Sequence, residues 1–217
     1  MVDLTRFHTE IEAARNNYHT NASDPARLHL ESLFTSCAPY GDGMIEVAYT
    51  DQNGKPNQAR LFYVSDLEAV VAFIKEKNAQ AGVNIYIGAA LRQPDTNSDK
   101  RCSITDFYAT TALWVDIDDG DAAQRAPEIY KDCPPSFAVV TGRHPALRLQ
   151  LWWKLNQPET DKEKVKEALA GLRDAFGGDP AVVDPIRIMR AAGTIAWPHK
   201  PGRIKETTEF YLMDAGQ

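Results

Sequence analysis

The sequence contains little cysteine and no long apolar run. Its cysteines, Cys37, Cys102 and Cys133, are widely spaced and form no CxxC pair, which argues against a disulfide framework and against a cysteine-based zinc site. No segment approaches the roughly 18 apolar residues of a membrane-spanning helix, and the charged N-terminal stretch lacks the apolar core of a signal peptide. These absences predict a soluble, cytoplasmic protein.

The chain also lacks an excess of positive charge. Its 30 acidic residues outnumber its 24 lysines and arginines, which gives a formal net charge of −6. A protein whose whole surface binds nucleic acid would need the opposite balance, because such binding depends on neutralising phosphates. Any contact with nucleic acid is therefore expected in a local basic groove. No GxxxxGK[ST] phosphate loop occurs, so no helicase is expected within this sequence.

The composition is that of a globular protein, with 43% hydrophobic and 25% charged residues. Residues 1–38 carry apolar side chains at helical spacing, first from Leu4 to Ala14. Two apolar runs around an Asn-Gly pair then predict a hairpin, and a capping-box pattern from Ser65 predicts another helix. Residues 1–80 are therefore expected to form a helix-rich N-terminal module with a hairpin.

The remaining residues, 81–217, alternate between strand and helix patterns. Strands are predicted at 112–118, 136–142 and 147–155, with a short helix after the first. A long helix follows the third strand, and Thr160 and Glu163 repeat the capping-box pattern at its start. Two glycines end the long helix, and a last strand follows near the C-terminus. This order predicts an α+β fold with an RRM-like or ferredoxin-like sheet and helices on one side.

Two carboxylates end the first of these strands, in the stretch ALWVDIDDGD at 112–121. Side chains at i and i+2 of a strand share a face, so Asp116 and Asp118 project together while Val115 and Ile117 point into the core. Neighbouring carboxylates repel each other, and a divalent cation between them removes that conflict. A solvated acidic turn is the alternative that this segment leaves open.

A second polar segment lies in TGRHPALRLQLWWKL. Polar or amphipathic side chains alternate with apolar ones at Arg148, Gln150, Trp152 and Lys154, and His144 lies in the preceding loop. The arginine and the amide suit a phosphate and the polar edge of a ligand. An exposed amphipathic strand would give the same alternation.

A third segment, VVDPIRIMRAAGTIAWPHKPG, combines a carboxylate with arginines. Asp184 precedes Arg187 and Arg190, which would share one face of a helical turn, and Lys200 adds positive charge nearby. Asp179 competes with Asp184 as the carboxylate of this segment, and Asp184 is favoured because the arginines follow it directly. A surface turn with ordinary charges is the alternative.

In this order, the three segments resemble the motifs of the archaeo-eukaryotic primase superfamily, specifically the RepB-like primase-polymerase (prim-pol) domains of plasmids, phages and mobile elements. That family shows a strand ending in hDhD, a polar residue before an aromatic pair, and an Asp followed by RxxRxxGT. This chain has WVDID, RLQLWW and DPIRIMRAAGT. The third motif is the most specific, and the first is weak alone.

The resemblance implies template-directed nucleotidyl transfer that synthesises and extends primers on single-stranded DNA during replication of a mobile element. Two Mg²⁺ or Mn²⁺ ions would be held by Asp116, Asp118 and Asp184, which would be both metal ligands and catalytic residues. Polar side chains would bind the incoming nucleoside triphosphate. These are Arg148, Gln150, Arg187, Arg190, His144 and Lys200.

The sequence departs from the family at one position. Many members have a histidine before the aromatic pair, whereas this chain has Gln150, with His144 six residues earlier. Either residue could make the corresponding contact. The resemblance also implies that residues 1–217 are a single prim-pol catalytic domain, with 81–217 as its catalytic module, accompanied by a helicase or DNA-binding region that is fused or acts in trans.

Two other functions fit parts of the sequence. A replication-initiator domain would bind DNA without synthesis, and Trp152, Tyr86 and Tyr108 could then stack on bases. A glycosyltransferase could use the DxD pair to hold a metal and a nucleotide sugar. The short chain, the missing Rossmann-like opening and the arginines after Asp184 argue against the glycosyltransferase.

Overall fold

The computed structural model describes residues 24–35, 40–51, 53–97 and 99–213. Within these residues, four α-helices accompany a nine-stranded sheet whose recorded pairings are all antiparallel, which confirms the predicted α+β class. None of these helices is long and apolar enough to cross a membrane. The helix predicted around Leu4 to Ala14 and the residue Cys37 lie outside the described residues.

The elements follow one another closely along the chain. The first part supplies α1 (Pro25–Phe34), β1 (Met44–Tyr49), β2 (Gln58–Tyr63), α2 (Leu67–Asn78), β3 (Ile85–Gly88) and β4 (Leu91–Arg92). The second part supplies β5 (Phe107–Ile117), α3 (Gly120–Tyr130), β6 (Phe137–Gly142), β7 (Arg148–Glu159), α4 (Lys162–Phe176), β8 (Ile188–Arg190), β9 (Ile195–Ala196), β10 (Glu206–Thr207) and β11 (Glu209–Leu212).

Aspartates cap the helices one residue later than the sequence pattern predicts. The side chain of Asp66, rather than Ser65, accepts a backbone N–H at the start of α2. The side chain of Asp161, rather than Thr160, accepts two at the start of α4, because a short carboxylate satisfies the free donors of the first turn well. Gly177 ends α4 with a φ of 64°, as the predicted glycine C-cap requires.

Strand β5 joins the two parts of the sheet. Its first half pairs with β4, and its second half pairs with β7. The strand order is β11-β6-β7-β5-β4-β1-β3-β8, with β2 beside β1. Strands β5 and β6, linked by α3, thus enclose β7 as in a split βαβ unit, and β11 pairs with the outer side of β6. Because β1 pairs with β3, strands from both sides of residue 80 share one sheet.

The sheet is covered by helices at both of its parts. Helices α1 and α2 pack on the larger apolar cluster, whereas α3 and α4 contribute to a second cluster with β5, β6 and β7. The second cluster includes Leu149 and Leu151 on one face of β7. On the other face, Trp152 is completely buried against Phe137, with ring centroids 5.5 Å apart.

The amphipathic pattern of β7 therefore does not mark an exposed face. Arg148 and Gln150 are only 4% and 3% exposed, although they alternate with buried leucines. The physical reason is that both faces of this strand are covered, which the alternation of polar and apolar residues cannot reveal. Trp152 consequently belongs to the core and is not available to stack on a nucleic-acid base.

Candidate active site

A cleft of about 260 Å³ lies between the two parts of the sheet. Its walls come from the end of β5, from β6 and β7, from β3 and β8, and from the segment between β9 and β10. Three strands separate β5 from β8 in the sheet order, yet both line this cleft. Its charged and strongly polar lining residues are Asp116, Asp118, Asp179, Arg148, Gln150, Arg187, Arg190, His199, Lys200 and Arg203.

Asp116 and Asp118 enter the cleft together, as the strand periodicity predicts. Both are partly buried. Burial and the neighbouring charge of Asp118 raise the pKa of Asp116 to about 7, and a smaller repulsion from Asp179 acts in the same direction. The charge of Arg187 and a hydrogen bond from Gln150 oppose this rise. The pair is thus two crowded carboxylates, of which one readily keeps its proton.

Asp179 is the third carboxylate of the cleft. Its backbone N–H donates to the carbonyl of Asp116 at 3.0 Å, which fixes it beside the end of β5. Gly178 allows this close approach, because a Cβ there would lie 2.5 Å from Cγ2 of Val115. One Asp179 oxygen accepts the backbone N–H of Ala181 at 2.8 Å. Helix α4 therefore returns the chain to β5 and delivers a carboxylate there.

Asp184, the carboxylate favoured from the sequence, is not among the residues that line this cleft. It is exposed and lines a separate pocket with Ile104, Lys162 and Lys166. Its side chain accepts the backbone N–H of Ile186 at 3.2 Å, so it shapes the turn that leads to Arg187. The structure thus brings Asp179, rather than Asp184, to the pair at the end of β5.

Arg187 and Arg190 both line the cleft, but they do not form a helical turn. The backbone N–H of Arg187 donates to the carbonyl of Asp184 at 2.9 Å and closes a turn, and Arg190 lies in strand β8. Arg190 pairs with Tyr86 of β3, and its guanidinium carbon lies 4.5 Å from the centre of that ring. Its Nη1 is buried and has no hydrogen-bond partner, and burial lowers its pKa.

Gln150 lies directly opposite Asp116 in the pairing of β5 and β7. Its side chain favours the ionised form of the Asp116 carboxylate and so opposes the rise of that pKa, while its buried Oε1 has no partner. The structure thus leaves an acceptor at Gln150 and a donor at Arg190 unsatisfied in one cleft. Unsatisfied buried polar atoms are costly to a fold, so both are candidates for ligand contact.

Arg148 lines the cleft but is already fully engaged. Its Nη2 donates to Glu206 at 2.9 Å, and its Nη1 donates to the carbonyls of Ala146, at 3.1 Å, and of His144. The His144 side chain is 65% exposed, lies 3.5 Å from Glu206 and does not line the cleft. Of the two candidates for the contact made by the family histidine, only Gln150 therefore lies in the cleft.

The segment between β9 and β10 brings two cations to Asp118. Lys200 Nζ and Arg203 Nη2 lie 3.2 Å and 2.8 Å from the same oxygen, Oδ2. Burial acts to raise the pKa of Asp118, but the hydrogen bonds and charges of Arg203 and Lys200 outweigh it, so the pKa is lowered. In the same segment, the ring of His199 packs over Gly54, where a Cβ would approach it to 2.9 Å.

The donor set of the cleft suits a divalent cation held by few protein ligands. In the described part of the chain, no group of three or more His, Cys, Asp or Glu side chains is arranged to hold a metal ion. Asp116 and Asp118 nevertheless offer adjacent oxygens, and their mutual repulsion is what a cation would relieve. Mg²⁺ commonly takes only one or two carboxylates and completes its shell with water and phosphate. The residues present therefore fit such an ion.

Sequence reasoning missed one charged cleft residue, Arg203, and ranked Asp179 below Asp184. The signal for Asp179 was the Gly-Gly pair that ends α4, because it permits a close return of the backbone to β5. No local pattern distinguishes Arg203 from its neighbours. Its partner Asp118 lies 85 residues earlier in the chain.

Comparison with solved structures places this fold among primase domains. The AEP domain of the cyanophage S-2L primase-polymerase matches 89% of this chain and 91% of its own, with a TM-score of 0.58 and 21% identity. The primase RepB′ matches 85% of this chain and 53% of its own, with a TM-score of 0.52 and 18% identity. No protein-family model matches the sequence, and neither does any curated protein. At these identities the likeness concerns the fold, which is that of primase-polymerase catalytic domains.

Proposed function

We propose that this chain, which has the fold of primase-polymerase catalytic domains, is a nucleotidyltransferase that makes and extends primers on single-stranded DNA. The observation that carries the proposal is one cleft in which Asp116 and Asp118 lie with Arg187 and Arg190. Phosphoryl and nucleotidyl transfer need carboxylates on one side of the substrate and fixed cations on the other. The ordered sequence motifs and the likeness of the fold support the same activity.

In this proposal each side chain has a defined part. Arg187 and Arg190 bind the triphosphate of the incoming nucleotide and compensate its charge. Gln150, which lies directly opposite Asp116 in the pairing of β5 and β7, favours the ionised form of that carboxylate. The partly buried setting of these groups strengthens their interactions with the substrate, since charges act more strongly away from water.

Mg²⁺ or Mn²⁺ would be held by Asp116 and Asp118, with water and the triphosphate as the other ligands. When bound, the ion would polarise the α-phosphate and favour ionisation of the attacking 3′-hydroxyl. A second ion would need a further protein ligand, for which Asp179 is the candidate because it lines the same cleft. The chain's own residues bring the reactants together and fix their orientation.

Primer synthesis on single-stranded DNA, with nucleoside triphosphates and Mg²⁺ or Mn²⁺, tests the proposal. We expect the unaltered chain to incorporate nucleotides, and D116N and D118N to reduce incorporation at least about a hundredfold because each removes a metal ligand. The matched control is D121N, since Asp121 is an exposed carboxylate on α3. Equal incorporation by all four proteins, or DNA binding without incorporation, would contradict the proposal.

A second comparison tests the choice of the third carboxylate. We expect D179N to reduce incorporation about tenfold, because it removes the candidate further metal ligand that lines the same cleft. D184N should stay within about twofold of the unaltered chain, because Asp184 is exposed and lines another pocket. Thermal unfolding of both variants controls for loss of their backbone hydrogen bonds. The opposite ranking of the two variants would restore the assignment made from the sequence.

A further inference from the structure

Arg148, one of the cations that the resemblance assigns to the triphosphate, is not free to bind it. Arg148 is 5% exposed at its side chain, and it donates to Glu206 and to two backbone carbonyls. Releasing it would leave Glu206 without this partner and uncover two carbonyls, which is energetically costly. Another cation must therefore compensate the charge of a bound nucleotide on this side of the cleft.

Arg203 is in a position to do so. Its Nη2 lies 2.8 Å from Oδ2 of Asp118, and its side chain is 23% exposed, so its contact with the carboxylate can exchange with solvent or ligand. Lys200 shares the same oxygen at 3.2 Å and is 66% exposed. Both cations thus occupy the carboxylate that would hold a divalent ion next to the triphosphate.

The segment that carries these cations is anchored at its start and its end. Strand β9 pairs with β10 across it, and the side chain of Asn84 accepts the N–H of Trp197 at 2.8 Å and donates to its carbonyl at 3.1 Å. The N–H of Arg203 donates to the carbonyl of Lys200 at 3.3 Å, which forms a turn. The backbone is therefore held while two long side chains can change partners.

A divalent ion and the two cations compete for Asp118. An oxygen that coordinates a metal ion cannot keep two close ammonium or guanidinium groups, because like charges in a partly buried site repel. The displaced cations then need another anion within reach. A triphosphate bound to the same ion supplies oxygens for which a guanidinium is well suited.

We propose that Arg203, assisted by Lys200, is an exchangeable cation: it neutralises Asp118 in the free protein and moves to the triphosphate of the incoming nucleotide when a divalent ion takes its place. The proposal rests on the proposed function, and it assigns to Arg203 the part that the sequence assigns to Arg148. The ligand class is a nucleoside triphosphate, rather than the phosphates of a DNA strand, because the exchange takes place at a metal-binding carboxylate.

Equilibrium binding tests this exchange, because removing Arg203 should change the affinities for Mn²⁺ and for the nucleotide in opposite directions. In R203Q the competitor of the metal is lost, so the Mn²⁺ affinity of the nucleotide-free protein, measured by electron paramagnetic resonance, should rise about threefold. The affinity for a non-hydrolysable nucleoside triphosphate in the presence of Mn²⁺ should fall about tenfold, since a charge-assisted contact is lost. A general structural defect would lower both affinities.

Three further variants serve as a control, a conservative replacement and a substitute for R203Q. K205Q is the matched control, because Lys205 lies in the same segment but stacks over Trp197, with its Nζ 4.7 Å from the ring centre, and both of its affinities should stay within about twofold. R203K should recover part of the nucleotide affinity. K200Q should show the same opposite signs with smaller amplitude, and it serves if R203Q does not fold.

The separate measurements distinguish a failure of the exchange from a failure of the proposed function. Binding of single-stranded DNA without nucleotide should be unchanged in R203Q, and a loss equal to the loss of nucleotide affinity would overturn the assignment to the triphosphate. Unchanged Mn²⁺ and nucleotide affinities in R203Q would overturn the exchange, even if the unaltered chain extends primers. The expected opposite shifts without any primer synthesis would support the exchange and contradict the proposed function.

Discussion

Two clusters of charged and polar side chains in this molecule are built differently. In the first, Glu46 and Arg92 are fully buried, and Glu46 also accepts from Arg101 and from the N–H of Cys102. Arg92 completes its contacts by donating to the carbonyls of Ala90 and Ile186. We call this the Glu46 cluster. It leaves no opening for a ligand.

The second cluster, which consists of Asp116, Asp118, Gln150 and Arg190 in the cleft, is unfinished. It has an unpartnered acceptor at Gln150 Oε1 and an unpartnered donor at Arg190 Nη1. A fold tolerates such atoms where a ligand supplies the missing hydrogen-bond partner. In a purely structural network, the buried polar atoms tend all to have hydrogen-bond partners within the protein. The difference agrees with a stabilising role for the Glu46 cluster and with the binding role proposed for the cleft. Because Arg92 contacts Ile186, the first also supports the turn that carries Arg187.

The largest expected effect comes from breaking the Glu46 cluster. R92M should lower the free energy of unfolding by about 3–5 kcal/mol, because it leaves the Glu46 carboxylate buried without its main partner. R101M is the matched control, since Arg101 contacts the same carboxylate but is 28% exposed at its side chain, and it should cost about 1 kcal/mol or less. Denaturant unfolding measures both. Similar losses for the two variants would contradict the distinction between buried and exposed partners.

The sequence predicted the position of a site residue where neighbouring residues in the chain determine that position, and not where tertiary contacts do. Strand periodicity placed Asp116 and Asp118 on one face, and the structure agrees. The same periodicity predicted a polar face on β7, but it could not show that Arg148 is covered and bound by Glu206, which lies 58 residues later. Local patterns determine which way a side chain leaves its strand, whereas its partner depends on the tertiary fold.

The choice between Asp179 and Asp184 also depended on the tertiary fold, which local sequence patterns do not determine. Both aspartates precede the arginines, so proximity in sequence favoured the later one. The structure favours Asp179 because α4 ends beside β5, where Gly178 lets the backbone approach Val115 and Asp116. Elements of the fold were easier to predict, since apolar periodicity and the glycine end of α4 act over a few residues, although the helix caps were placed one residue too early.

A second prediction concerns an unpartnered atom in the core rather than in the cleft. His29 is 1% exposed, its Nδ1 accepts the N–H of Ala192 at 3.3 Å, and its Nε2 has no partner. Burial lowers its pKa to about 3 from an ordinary value of 6.5. Its ring neighbours are Phe137, Trp152 and Phe210.

Because the folded pKa of His29 is depressed, its contribution to stability is present above pH 6.5 and is lost as the pH falls towards 3. Between pH 7 and pH 5, His29 should lower the free energy of unfolding by about 2 kcal/mol. Denaturant unfolding at several pH values measures this, and H29Q should show a smaller loss over the same range. An equal pH dependence in H29Q would show that other groups cause it.

The smallest expected effects separate Gln150 from His144, the two candidates for the contact made by the family histidine. Q150A should lower kcat/KM for nucleotide incorporation about tenfold, since it removes the amide that lies opposite Asp116 and favours its ionised form. H144A should stay within about twofold, because the His144 side chain is largely exposed and faces Glu206 outside the cleft. Steady-state incorporation kinetics measure both values. If H144A were the more damaged variant, the loop before β7 would have to close over the cleft when the nucleotide binds, and the unfinished cluster would include it. If Q150A retained full activity, the unpartnered Oε1 would be a tolerated defect of the fold rather than a sign of a ligand.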